Sequence, residues 1–180
     1  VVDYLGRANP RGVLAIDMGS AVSTLSASIG GKVATSIRTD IGLGHSAASM
    51  LNLLGADAVK RWLPFNIGSH DLYNYALNKT LRPATIPQTL RDLYIEHALL
   101  RAGVQSLVKA SRPAWNESPR TRARAVLPDF ATAIGAGSAL TGTGSPGYNA
   151  LLLLDALQPT GVTLLQSDPF GLIAGLAPLA

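Results

Sequence analysis

The chain alternates between stretches with strand character and stretches with helix character. Val13 to Asp17 is a short apolar run that ends in a carboxylate. Such a run reads as a buried strand delivering an Asp to a sheet edge. Thr24–Ile29 and Lys32–Arg38 each alternate small or β-branched with polar residues, and Gly30-Gly31 separates them. Both positions of a two-residue hairpin turn need positive φ, so this is a β-hairpin signal. Three antiparallel strands are therefore expected in the first forty residues, after a lead-in over 1–11 that closes on an Asn9-Pro10 turn.

A glycine-rich turn, Asp40-Ile-Gly-Leu-Gly44-His45, opens a helix over Ser46–Leu54, with Gly55 at its C-terminus. From 56 to 125 apolar residues fall at helical spacing. Helices are expected over Asp71–Leu81 and Pro87–Ser111, the second with Pro87 in its first turn. A Pro/Arg-rich loop over Arg112–Arg124 follows. Asp129–Gly135 then reads as a strand entering a glycine turn, Ser145–Leu157 as a helix, and Val162–Gln166 as a strand. Asp168 is placed to cap a last helix, Pro169–Leu176. The order is βββα, a helical insert, then βαβα, which predicts an α/β fold with a five-stranded mixed sheet. Residues 1–55 and 126–180 would form the sheet domain, and 56–125 a helical insertion.

Composition narrows the classes. Among 180 residues 47% are hydrophobic and 14% charged, too apolar for disorder. The low charge fits either a well-packed small domain or a domain with a face that packs on something else. The chain opens on Val1 with no initiator Met, which points to a piece of a longer protein. There is no cysteine, which excludes disulfides and thiolate chemistry and fits the cytoplasm. His45, His70 and His97 show no ligand spacing. The longest apolar stretch stops at Asp155 and is far below a membrane span of about 20 residues. No membrane partner is expected. Between Arg82 and Arg124 eight bases face three acids. Aromatics do not interleave with those bases, so no nucleic-acid partner is expected and the segment reads as a solvated or protein-docking face.

Three motifs carry a resemblance. Asp17-Met-Gly19-Ser-Ala-Val-Ser23 resembles the second phosphate motif of the actin, Hsp70 and sugar-kinase superfamily. Arg38-Thr-Asp40-Ile-Gly-Leu-Gly44-His45 resembles the turn after that family's third strand. Ile134-Gly135-Ala-Gly137-Ser-Ala-Leu140 resembles its adenosine motif. Ser145-Pro-Gly147 and the run from Leu153 through Asp155 to Gly161 are similar to the MutL (GlmL-like) family, found near adenosylcobalamin-dependent mutases. The resemblance implies a ribonuclease H-like, actin-type half-domain whose missing N-terminal half is its first partner. It implies ATP and Mg²⁺ as cofactors and a chaperone or reactivating role toward a mutase partner.

Under that resemblance Asp17 would hold Mg²⁺ through water or orient the attacking water. Gly19, Ser20 and Ser23 would meet phosphate, with Asp40 nearby, and Gly135, Gly137 and Ser138 would meet adenosine and ribose. Three residues depart from the family pattern: Ser20 stands for Gly, Ser23 for Thr, and Ser138 for the second of paired glycines. A Cβ at a close-approach position weakens or abolishes nucleotide binding. A non-catalytic scaffold that kept the fold is thus the second expectation. A small-molecule kinase is the third, and its acceptor base would lie in the missing half.

Overall fold

The computed structural model describes residues 1–115 and 127–175. Five strands form one sheet: β1 (Val13–Met18), β2 (Ser23–Ile29), β3 (Lys32–Arg38), β4 (Thr132–Ala136) and β5 (Leu164–Asp168). Their spatial order is β3-β2-β1-β4-β5. β2 pairs antiparallel with both β1 and β3, whereas β1, β4 and β5 pair in parallel. The mixed five-stranded α/β sheet expected from the pattern is present. The hairpin turns where expected, with φ of 56° at Gly30 and 73° at Gly31, the positive values that only glycine takes without strain.

The side-chain period of two divides β1 between two faces. Leu14, Ile16 and Met18 face the main core, together with Leu25 and Ala27 of β2. That core is closed by α2 (Ala47–Leu54), α3 (Ala56–Lys60), α4 (Ser69–Leu81), α5 (Leu90–Ser111), α6 (Ser138–Thr141) and α7 (Pro146–Leu157). Met50 and Leu51 of α2, Leu99, Val104 and Leu107 of α5, and Leu152 and Leu153 of α7 all lie in one cluster with the strands. The stretch 56–115 therefore shares the core of the sheet. Val13, Ala15 and Ile134 face the other side, where Val2 of α1 (Val2–Ala8) buries against them and Ile173 of α8 (Leu172–Gly175) packs on the edge.

Several local expectations change. The lead-in over 1–11 is largely helix α1, and its Gly6 lies so close to Ser28 that an added Cβ would collide with the serine hydroxyl. The long helix starts at Leu90 and leaves Pro87 outside. Thr89 and Asp92 form a reciprocal capping box there, Thr89 Oγ1 accepting from the Asp92 amide at 3.1 Å and Asp92 Oδ2 accepting from the Thr89 amide at 3.2 Å. Two orphan amide donors are satisfied at once, which fixes the start of the helix. Asp155 of α7 accepts from Arg101 Nε at 2.9 Å, which joins α5 to α7. β5 begins two residues later than the apolar pattern suggests and carries Asp168 as its last residue. Arg120, Arg122 and Arg124, with most of the Pro/Arg-rich loop, lie outside the described residues.

Candidate functional site

Chain order reverses between β1 and β4. Strands 2 and 3 lie on one side of β1, and strands 4 and 5 on the other. In open α/β sheets ligands bind outside the carboxyl ends of the strands at such a switch point. Asp17 sits there. It pairs across to Ala136, and Ala136 pairs in turn to Asp168. Residues in register share a face, so the carboxylates of β1 and β5 look out on one side with only alanine between them. Burial holds the Asp17 carboxyl above its ordinary range, and the charge of Asp168 adds to that rise. Asp168 accepts from the Leu172 and Ile173 amides at 2.9 and 2.8 Å and so caps α8, as its position suggested. The Asp17 carboxylate makes no hydrogen bond among the described residues. A groove of about 500 Å³ opens beside Asp168, lined by Ile134, Gln166, Phe170 and Ile173 among others.

The turn from β1 to β2 lies immediately beyond Asp17. Its carbonyls are taken up by the 40–46 loop. Gly19 O accepts from the Leu43 amide at 3.0 Å, and Ser20 O accepts from Gly44 at 2.9 Å and Ser46 at 3.3 Å. Ala21 O accepts from Ser46 Oγ at 2.7 Å. A trans peptide sends its C=O and the following N–H in opposite directions. The amides of Ser20, Ala21 and Val22 therefore face away from the loop, and none of them donates a hydrogen bond among the described residues. Successive N–H groups that share one side of a turn are a backbone arrangement able to bind an anion.

The second glycine turn meets the first at the same place. Gly137 has φ of 96°, and a Cβ there would collide with the carbonyl of Met18. β1 and β4 can thus touch at their ends only because position 137 is glycine. Gly135 serves something else. Its missing Cβ makes room on the opposite face for Leu153 of α7, whose methyl carbons would lie 2.8 and 2.9 Å away. Gly19 is needed for the tightness of the first turn, where a Cβ would meet Val22 O. Ser138 is exposed at the start of α6.

Two other expected site residues are committed internally. Ser23 is fully buried, and its hydroxyl donates to Ile41 O at 2.9 Å, a staple between β2 and the 40–46 loop. Asp40 accepts a two-pronged contact from Arg38 at 2.7 and 2.6 Å, which lowers its carboxyl below the usual range. The structure thus gathers Asp17, Gly19, Ser20 and Gly137 at one edge, turns Gly135 toward α7, and leaves Ser23 and Asp40 bonded within the protein. Sequence reasoning missed Asp168 as the neighbour of Asp17. The signal was available as a second carboxylate ending a strand.

Fold and edge together define an α/β domain with a five-stranded mixed open sheet and a concentration of unmatched polar groups at its switch point. Compared with known proteins, the chain matches no family model and no curated protein sequence.

Proposed function

We propose that this chain is the nucleotide-binding half of an actin-like ATPase of ribonuclease H-like fold, with the phosphates held at the β1–β2 turn. The observation that carries the reading is the run of amides at Ser20, Ala21 and Val22, freed by the 40–46 loop and lying directly after Asp17. The strand order, with β2 alone reversed, supports it. A phosphate oxygen taking those amides would lie beside Asp17. The groove along Ile134, Phe170 and Ile173 offers an apolar floor next to it.

The residues present fit Mg²⁺ in one specific sense. Among the described residues no group of three His, Cys, Asp or Glu side chains could hold a metal. Mg²⁺, however, keeps several waters and takes one or two carboxylates together with phosphate oxygens. Asp17, raised by burial and by Asp168, would be that carboxylate, and the cation would relieve the repulsion. When bound, it neutralises developing phosphate charge. By this reading the remaining cleft wall comes from a missing N-terminal half. The link to a cobalamin mutase as chaperone or reactivating factor rests on the sequence resemblance alone.

A second reading, a scaffold that kept the fold and lost nucleotide binding, is favoured by the internal commitment of Ser23 and Asp40. Calorimetric titration with Mg-ATP separates the two. The nucleotide-binding reading expects binding that drops at least about tenfold in Asp17→Ala, equivalent to about 1.4 kcal/mol. Heat signals that are absent, or indifferent to that substitution, would leave the scaffold reading standing.

A further inference from the structure

β3 ends the sheet on one side. The Gly30-Gly31 turn sets which way its backbone points. In a hairpin closed by two residues, the flanking pair exchanges both backbone hydrogen bonds, and bonded pairs then alternate with unbonded ones along the ladder. Here the flanking pair is Ile29 and Lys32. Lys32, Ala34, Ser36 and Arg38 therefore spend their N–H and C=O groups on β2. Val33, Thr35 and Ile37 turn theirs outward, where no described strand receives them.

All three of those residues are exposed, Val33 at 42% and Ile37 at 65%. Edge strands are ordinarily blunted by a proline, a bulge or a charge within the strand. β3 has no proline, and its register with β2 runs unbroken from Lys32 to Arg38. Its two charges, Lys32 and Arg38, stand at its ends and leave the stretch between them uncharged.

The order of residues along the strand selects what fits this edge. A twofold axis through Thr35 lays β3 antiparallel on its own copy. Thr35 then meets Thr35, Val33 meets Ile37, and Lys32 meets Arg38. Every outward-turned residue faces another, so the backbone groups left open by β2 are taken up in full. Moving the axis to Ala34 or to Ser36 leaves Ile37 or Val33 without a partner on the strand. On one face the exposed Val33 and Ile37 meet twice, a favourable class of cross-strand pair. On the other face Lys32 meets Arg38, whose guanidinium is already closed on Asp40 at 2.7 and 2.6 Å. The lysine thus faces an ion pair and escapes the repulsion of a bare cation.

We propose that β3 is a self-association edge, on which two copies of this chain pair antiparallel about Thr35 and continue one sheet through both. A single strand pairing buries less than the roughly 1,200 Å² of a standard interface, so the dimer is weak and exchanges. The pairing makes no use of Asp17 or of the β1–β2 turn, and it holds whatever that edge binds.

Sedimentation equilibrium of the chain between about 10 μM and about 1 mM should show monomer–dimer exchange with its midpoint inside that range. Over the same range ¹⁵N NMR should show the Val33, Thr35 and Ile37 amides shifting and gaining exchange protection, while Ala34 and Ser36 are protected throughout. Val33→Lys should weaken the association at least about tenfold, and Ile37→Glu should do the same. Both substitutions fall on exposed side chains, so the monomer keeps its fold. An equimolar mixture of the two variants should associate again, because the register about Thr35 sets the introduced ammonium opposite the introduced carboxylate. A single monomeric species over the whole range overturns the proposal. So does an association indifferent to Val33→Lys, or a mixture of the two variants that stays monomeric.

Discussion

Two regions of this molecule concentrate polar groups, and they treat them in opposite ways. Between α4 and α5, Lys79 and Glu96 are 8% and 13% exposed at their side chains and pair at 2.7 Å. Lys79 Nζ also donates to Thr85 O, and Tyr75 donates from its hydroxyl to Glu96 Oε2 and to Asp92 O, both at 3.3 Å. Every charge there is answered from within the chain. Burial, followed by the neighbouring carboxylates, pushes the Tyr75 hydroxyl up and keeps it a donor. At the carboxyl edge of the sheet nothing comparable is done for Asp17, which faces a second carboxylate, nor for the amides of Ser20 to Val22. A region whose polar groups are all matched is holding itself together. One whose groups stay open to water, while the loop beside them is bonded, leaves those groups available to a ligand.

The comparison breaks most violently at Glu96. Glu96→Ala leaves the Lys79 ammonium buried without its carboxylate, and breaking a buried pair from one side costs about 3–5 kcal/mol. Chemical denaturation should register a loss of that size. A loss under about 1 kcal/mol would show that the pair is a surface contact in practice and that the contrast with Asp17 has no energetic content.

Gly137→Ala comes next. A side chain at φ of 96° is strained, and its Cβ would collide with Met18 O. The two contributions together should cost about 2 kcal/mol or more. The same substitution should open the join between the ends of β1 and β4 and so weaken any ligand bound there. Gly135→Ala is the useful contrast. It should also destabilise, by crowding Leu153, but its effect falls on the α7 side of the sheet and away from Asp17. Equal ligand loss in both variants would mean that the two glycines do not divide the work as their surroundings indicate.

How much of this was legible in the sequence depends on the reach of each interaction. The Gly30-Gly31 hairpin was readable because turn chemistry is local, and so was Asp168 as a cap, four and five residues from the amides it serves. Helix α1 was not, because seven residues with a glycine in the middle carry little helical signal, and tertiary packing on Val13 and Ala15 holds it. The Asp17 and Gly137 motifs were visible as residues, but their roles were not. The direction of the Ser20–Val22 amides is set by a loop more than twenty residues downstream. Asp17 meets Asp168 only through the intervening Ala136 of β4. Ser23 and Gly135 look like site residues in a motif and prove to be a staple and a packing gap, because a motif does not say which face a side chain takes.

The smallest expected effect is the most diagnostic, because its sign is opposite to the others. Burial, and then Asp168, raise the Asp17 carboxyl in the folded chain above the 3.8 of a free aspartate. The folded state therefore keeps a proton that the unfolded chain has released. Stability falls as pH rises from 3.8 through the folded value, and at neutral pH the ionised Asp17 is a net cost. Asp17→Asn should raise the melting midpoint at pH 7 by an amount on the order of 1–2 °C, and flatten the acid side of the stability profile. A magnesium salt should raise the midpoint of the parent and leave the variant unmoved, since only a ligand binding the folded state stabilises it. Should Asp17→Asn melt below the parent, Asp17 would be answered from within after all, and the edge would belong with the Lys79–Glu96 region as part of the scaffold.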